Sequence, residues 1–278
     1  MKISEGSRKL KIVLAERYEE NEAENISKIF WEDLFNYKGG LDRSLHTKEL
    51  VVFRNAIDKL EAGWPIQYVT NVAFFYNYKF HVNENVLIPR PETEELVYQL
   101  LSECRDGRVL DIGTGSGCIA ISVKCRRPGC EVDAIDISSA ALEVAKTNAE
   151  KNEAGVKFLQ LDFLNEDSWF SLVNYDNIIS NPPYISEEEK EHMSASTLDH
   201  EPNIALFPND DNILIFYEKI AKFGSKQLNA GGSIYLECNE FNAHQVKEIF
   251  EKANYPTVKL VKDMQGKDRI LVARKATA

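Results

Sequence analysis

Apolar residues along the chain follow two different periods. Through residues 1–71 they recur at helical spacing, as in Ile26, Ile29, Phe30, Leu34 and Phe35, and again in Leu50, Phe53, Ile57 and Leu60. Gly39-Gly40 turns the chain between two of these segments, and Gly63-Trp64-Pro65 ends the last. No strand-like alternation interrupts them. The stretch therefore predicts a small helical domain with Phe30, Trp31 and Phe35 in its core. Residues 72–91 change character. Val72-Ala73-Phe74-Phe75-Tyr76 and Lys79-Phe80-His81-Val82 are β-prone around Asn77-Tyr78, which predicts a β-hairpin linker. Pro89-Arg90-Pro91 then halts regular structure.

From residue 92 onward helices and strands alternate. Thr93-Glu94-Glu95 reads as a helix start whose acids complement the dipole, with Leu96, Val97, Leu100 and Leu101 as the buried stripe. Strands are expected at 108–112, 131–135, 156–161, 176–180, 232–238, 257–261 and 269–273. Helices fall between most of them, including 138–151, 212–228 and 242–253. This alternation predicts an α/β protein with a doubly wound, seven-stranded, Rossmann-like sheet over 92–278. The helical domain 1–71 and the linker 72–91 precede it.

Composition narrows the class. Of 278 residues, 44% are apolar and 28% charged, as in soluble globular proteins. Met1-Lys2-Ile3-Ser4-Glu5 opens no signal peptide, and no stretch approaches a membrane span, so a cytoplasmic protein without membrane attachment is expected. The five cysteines, Cys104, Cys118, Cys125, Cys130 and Cys238, form no C-x-x-C pair and read as reduced structural thiols. His46, His81, His192, His200 and His244 show no ligand spacing, so no metal is expected. The formal net charge is −11 and residues 1–75 are nearly neutral, which leaves the α/β part acidic. That is a poor match for a phosphate backbone and argues against a nucleic-acid partner. Nothing demands more than a monomer.

The chemistry begins at Asp111-Ile112-Gly113-Thr114-Gly115-Ser116-Gly117, a strand running into a glycine turn and then a helix. The glycines admit a ligand close to the backbone, and the helix start offers N–H groups to a carboxylate or a phosphate. The dinucleotide fingerprint needs G-x-G-x-x-G, but here the third glycine falls one residue early. Asp111 would repel a pyrophosphate and attract an ammonium. S-adenosylmethionine carries an ammonium and no phosphate, so the loop suits that cofactor. Asp136, at the tip of the second strand of the sheet, is placed to accept from ribose hydroxyls. Asp162 is placed to accept from the adenine amino group, and Phe163 to pack on the ring.

Asn181-Pro182-Pro183-Tyr184 ends the fourth strand of this sheet and is the most specific local signal. Two prolines stiffen the turn and remove two N–H donors. The Asn181 side-chain carbonyl and the Pro182 backbone carbonyl can then both accept from one NH₂ group, and Tyr184 supplies an aromatic face. An amide or aromatic amine attacks a sulfonium methyl poorly because its lone pair is delocalised. Two fixed acceptors can aim that lone pair and stabilise the charge that develops on nitrogen.

Together these residues resemble class I methyltransferases acting on exocyclic or amide nitrogen, a group that includes DNA adenine and ribosomal RNA guanine enzymes. Asn85-Val86-Leu87-Ile88-Pro89-Arg90-Pro91-Glu92-Thr93-Glu94 is more narrowly similar to the HemK family, which methylates the glutamine of the Gly-Gly-Gln motif in peptide chain release factors. Gly63-Trp64-Pro65-Ile66-Gln67-Tyr68, Glu201-Pro202-Asn203-Ile204-Ala205-Leu206 and Asp263-Met264-Gln265-Gly266-Lys267-Asp268-Arg269 also look like family segments.

The resemblance implies N5-methylation of a release-factor glutamine, with Asn181, Pro182, Pro183 and Tyr184 on the glutamine. Gly113 to Gly117, Asp136, Phe163 and Asn181 would lie on the cofactor, Arg90 and Glu92 near the site entrance, and the helical domain would dock the partner. Phe207-Pro208-Asn209-Asp210-Asp211-Asn212-Ile213 departs from the family, which has a glycine-rich stretch there. Asp199-His200-Glu201 reads as a solvated loop. The competing expectation is a nucleic-acid methyltransferase acting on adenine N6 or guanine N2, which should show a basic groove. A non-enzymatic cofactor-binding protein would not need the Asn181–Tyr184 corner.

Overall fold

A computed structural model describes residues 1–208 and 212–277 of the chain. Asn209, Asp210 and Asp211, in the middle of the 207–213 departure, lie outside the described residues. The chain forms two compact units. One comprises Met1–Val72 with Met193–His200; the other comprises Ala73–His192 with Glu201–Ala278. Among the described residues no helix is long and apolar enough to cross a membrane.

The first unit contains α1 (Ile3–Ala15), α2 (Glu20–Phe35), α3 (Thr47–Glu61) and α4 (Ile66–Thr70). Its core is aromatic: Trp31 stacks on Phe53 with centroids 5.8 Å apart, and Phe30 meets both rings edge-on. Gly6 lets α1 pass this cluster, since a Cβ there would stand 2.9 Å from the Trp31 ring. α3 ends at Glu61, just before Gly63-Trp64-Pro65 as expected, and a further short helix, α4, follows. Pro65 caps α4, its fixed φ suiting a helix entry. A helix at Ala195–His200, which no local signal announced, joins this unit. Ser196 donates to the Gly63 carbonyl at 2.9 Å, and the His200 ring stacks on Trp64 at 4.6 Å.

The second unit opens at Ala73, inside the first strand of the hairpin β1 (Val72–Phe75) and β2 (Tyr78–His81). Its turn is Tyr76-Asn77, one residue earlier than Asn77-Tyr78. Both residues take positive φ, 50° and 67°, the geometry that matches strand twist in a two-residue hairpin. Glu94 accepts from the Tyr76 N–H at 2.9 Å, and Asn148 bonds both the N–H and the carbonyl of His81.

The sheet that follows is β3 (Arg108–Ile112), β4 (Glu131–Asp136), β5 (Val156–Gln160), β6 (Tyr175–Ser180), β7 (Leu228–Glu237), β8 (Thr257–Lys262) and β9 (Asp268–Arg274). Its order is β5-β4-β3-β6-β7-β9-β8, parallel except where β9 runs against β7 and β8. Central strands are buried on both faces. Alternate residues feed two cores: Leu110, Ile112, Ile178 and Leu236 face one, Val109, Ile179 and Tyr235 the other. The edge strands β5 and β8 carry Lys157, Lys259 and Lys262, which discourage pairing with another chain.

The helices of the sheet that bear on the site are α5 (Pro91–Glu103), α6 (Cys118–Arg126) and α7 (Ser139–Lys151). α5 starts two residues before the expected Thr93, because Pro91 takes the first helical position and needs no N–H partner there. The helix expected from Asn212 begins at Ile215. The strand order, not the strand direction, reverses between β3 and β6, so the loops after β3, β4, β5 and β6 meet over one crevice at the carboxyl ends of the strands.

Candidate active site

The glycine turn after β3 is shaped largely by bonds within the protein. Gly113 and Thr114 donate to the Ile135 carbonyl at 2.9 and 3.0 Å, and Gly115 donates to Asp136 Oδ2 at 2.9 Å. Gly113 and Gly115 hold φ of 72° and 55°, with open space where a Cβ would stand. Gly117 is needed for a different reason: a Cβ there would strike Ile121 at 2.9 Å and Ala145 at 3.1 Å, where α6 packs on α7.

Asp111 does not line the crevice. It is fully enclosed beneath the turn, where its Oδ2 accepts from Thr114 Oγ1 at 2.7 Å and from the Ala120 N–H at 3.2 Å. Its Oδ1 has no partner among the described residues. Burial pushes its pKa up to about 7, against the pull of those two bonds. The carboxylate thus ties the turn and leaves an unsatisfied acceptor under it, a placement that favours a cation laid on the loop. Thr114 and Ser116 also face inward; the Ser116 carbonyl takes Asn148 Nδ2 at 2.9 Å.

Above the turn lies a cavity of about 310 Å³, within the range of small-ligand sites, lined by Gly113, Gly115, Asp136, Asp162, Phe163 and Asn181 among others. Asp136 accepts from the N–H of Ser138, the cap residue of α7, at 2.9 Å, in addition to Gly115. The carboxylate can accept about four hydrogen bonds, so lone-pair capacity remains for a ligand hydroxyl beyond its backbone donors. Burial raises its pKa. Asp162 is exposed and takes the Leu164 N–H at 3.0 Å. The Phe163 ring is built into the core against Trp169 and Phe223, centroids 5.4 and 5.5 Å away, so it offers the cavity a fixed edge.

The Asn181–Tyr184 corner sits at the end of β6, beside the end of β7, because the parallel register pairs Ser180 with Leu236. Asn181 and Pro183 line the cavity, and Pro182 is buried between them. Asn181 Nδ2 donates to Thr93 Oγ1 at 3.1 Å. Thr93 Oγ1 donates to Glu237 Oε2 at 2.7 Å, and Tyr184 donates its hydroxyl to Glu237 Oε1 at 2.8 Å. Glu237 is buried, which raises its pKa, while the two hydroxyl bonds and the Arg269 charge oppose the rise. Burial and the Glu237 charge hold the Tyr184 hydroxyl well above its ordinary pKa.

Thr93 and Glu237 were not among the residues that sequence reasoning selected. The signal was present for Glu237, an acid ending the apolar run Ile234-Tyr235-Leu236 at a strand tip. Thr93 read as a helix start, and only the fold shows what its hydroxyl faces. Arg90 and Glu92 lie on the approach to α5 and in its first turn, but Arg90 is not free at an entrance. It pairs with Glu201 at 2.5 Å. Glu201 also takes the Ile88 N–H at 3.1 Å and is buried, which corrects the solvated reading of Asp199-His200-Glu201. Among the described residues no cluster of His, Cys, Asp or Glu is grouped to hold a metal ion.

Comparison with known proteins extends the picture. Residues 92–221 match the family model described as Methyltransferase small domain. The chain is 45% identical over 222 residues to a release factor glutamine methyltransferase of Bacteroides thetaiotaomicron, covering 80% of each chain. It is 36% identical over 269 residues to a release factor glutamine methyltransferase of Flavobacterium psychrophilum, covering 93% of this chain and 94% of that one. A crystal structure of a methyltransferase from Pyrococcus furiosus shares the fold, with a TM-score of 0.54 at 22% identity over 71% of this chain and 88% of that one.

Proposed function

We propose a reaction course from one premise: the chain belongs to the release factor glutamine methyltransferase family. It is an S-adenosylmethionine-dependent enzyme that methylates the side-chain amide nitrogen of a glutamine in a release factor. Our reading places that glutamine in a Gly-Gly-Gln motif.

When bound, S-adenosylmethionine supplies an electrophilic methyl on a positively charged sulfur. The protein's own residues do the rest. Gly113 and Gly115 leave room over the turn, and the unsatisfied Asp111 Oδ1 beneath it favours a cationic amino-acid end. Asp136 accepts from hydroxyls with its spare lone pairs, and Asp162 and Phe163 take the base. Asn181 Oδ1 and the Pro182 carbonyl accept the two hydrogens of the glutamine amide and turn its lone pair toward the methyl. As the nitrogen–carbon bond forms, the sulfur–methyl bond breaks with its electron pair returning to sulfur, and S-adenosylhomocysteine is the neutral leaving group. The positive charge passes to nitrogen, where the same acceptors stabilise it. The alkylated nitrogen is acidic and releases its proton without a strong base.

The observation that carries this reading is the Asn181 amide. Its nitrogen is engaged by Thr93, so its oxygen is the atom left for the cavity it lines. The helical unit, with Ile12 and Leu41 exposed, docks the body of the release factor in this account, and the enzyme works as a monomer in the cytoplasm. Substituting Ile12 and Leu41 by lysine should raise KM for intact release factor and leave cofactor affinity alone. Incubation with methyl-labelled S-adenosylmethionine tests the reaction itself. Label should enter release factor; label entering tRNA, rRNA or DNA instead would overturn the reading.

A further inference from the structure

We infer that Thr93 and Glu237 are positioning residues for the transfer step: they set which end of the Asn181 amide faces the substrate. This rests on the reading above, in which Asn181 receives the glutamine amide. Hydrogen counting fixes the direction of these bonds. A threonine hydroxyl has one hydrogen to give, and an ionised carboxylate has none. Thr93 spends its hydrogen on Glu237 Oε2 at 2.7 Å, so its oxygen can meet Asn181 only as an acceptor. The amide must therefore present its NH₂ to Thr93, at 3.1 Å, and turn its oxygen toward the cavity. The chain Asn181 to Thr93 to Glu237 has one polarity, fixed at its far end by a group that only accepts.

The reverse orientation would be unproductive. It would put the Asn181 NH₂ against the substrate NH₂, donor against donor. The other carboxylate oxygen takes the Tyr184 hydroxyl at 2.8 Å, so the single carboxylate ties both ends of the corner. Glu237 has no ion-pair partner at contact among the described residues; the nearby Arg269 is engaged with Asp263 at 3.2 Å and the Cys238 carbonyl at 3.3 Å. Sealing such a carboxylate in the interior is costly. Its return is a fixed negative charge behind the corner where positive charge develops on the glutamine nitrogen.

The test uses the full chain, intact release factor, and the variants Thr93→Val, Thr93→Ser and Glu237→Gln. Valine keeps the shape of threonine and removes the hydroxyl. Thr93→Val should lower kcat on the order of 10–100-fold, less than the roughly 10²–10³ of a lost transition-state partner because the Asn181 oxygen itself remains, with cofactor Kd within about twofold by calorimetry. Thr93→Ser, which keeps the hydroxyl, should recover kcat to within about threefold of wild type on the same scale. Glu237→Gln introduces a donor at the fixed end and should slow turnover like Thr93→Val, again without loss of cofactor. Wild-type kcat in Thr93→Val would overturn the inference, as would a Thr93→Ser enzyme as slow as Thr93→Val, or parallel loss of cofactor affinity in all three. Absence of transfer by the wild-type protein would instead sink the reaction reading, and this inference with it.

Discussion

Asn181 and Thr93 are separated by 88 positions in the chain and 3.1 Å in space, the amide nitrogen of one resting on the hydroxyl oxygen of the other. That contact leaves the Asn181 oxygen as the one side-chain acceptor the corner offers to a substrate amide. Asn181→Ala should lower kcat on the order of 10²–10³, the loss seen when one preorganised transition-state partner is removed. Cofactor affinity should change far less. Single-turnover methylation separates the two, and unchanged turnover would remove the catalytic role of Asn181.

Asp136 joins the glycine turn to the start of α7 through Gly115 and Ser138. Its spare lone pairs are the site proposed for ribose hydroxyls. Asp136→Ala should weaken cofactor binding by about 10–100-fold, the worth of hydrogen bonds to a charged group, with smaller effects at saturating cofactor. Calorimetry showing unaltered affinity would exclude the contact.

Asp111 makes cofactor binding depend on pH. Its pKa is pushed up to about 7 from 3.8, so the folded protein holds a proton that the unfolded chain has released. The stability this contributes is full below the unfolded value and is lost as pH rises through about 7. A cation on the loop favours the ionised carboxylate, with Asp136 across the turn and Cys118 behind it as its titratable neighbours. Affinity for the cofactor should therefore rise up to about tenfold between about pH 6 and pH 8, one pKa unit corresponding to a factor of ten. Asp111→Asn should flatten that slope. Equal slopes in the two proteins would contradict the coupling.

Glu201 holds Arg90 and the Ile88 N–H from a buried position. Glu201→Ala should destabilise the protein by about 1–3 kcal/mol, less than a fully buried pair because Arg90 is partly exposed. Denaturant melts report the loss directly; a variant as stable as wild type would show the pair to be incidental.

Much of this molecule was legible from local patterns. The strand positions, the glycine turn and the Asn181–Tyr184 corner announce themselves because buried parallel strands are continuous apolar runs and their carboxyl-end loops need unusual residues. What was hidden depends on contacts distant in sequence. Thr93 reads as a capping residue until β7 brings Glu237 to it. Asp111 reads as a ligand until its neighbours enclose it. Glu201 reads as solvated because nothing in its own segment reveals that Arg90 lies against it. The helix at Ala195–His200 joins the first unit through Gly63 and Trp64, which sequence proximity does not suggest.

The most direct measurement is a structure of the enzyme with S-adenosylhomocysteine and a Gly-Gly-Gln segment of release factor. The account predicts Asn181 Oδ1 at roughly 2.7–3.2 Å from the glutamine amide nitrogen, a hydrogen-bond distance, with Nδ2 still on Thr93. An Asn181 oxygen turned to Thr93, or a glutamine bound away from the corner, would contradict it.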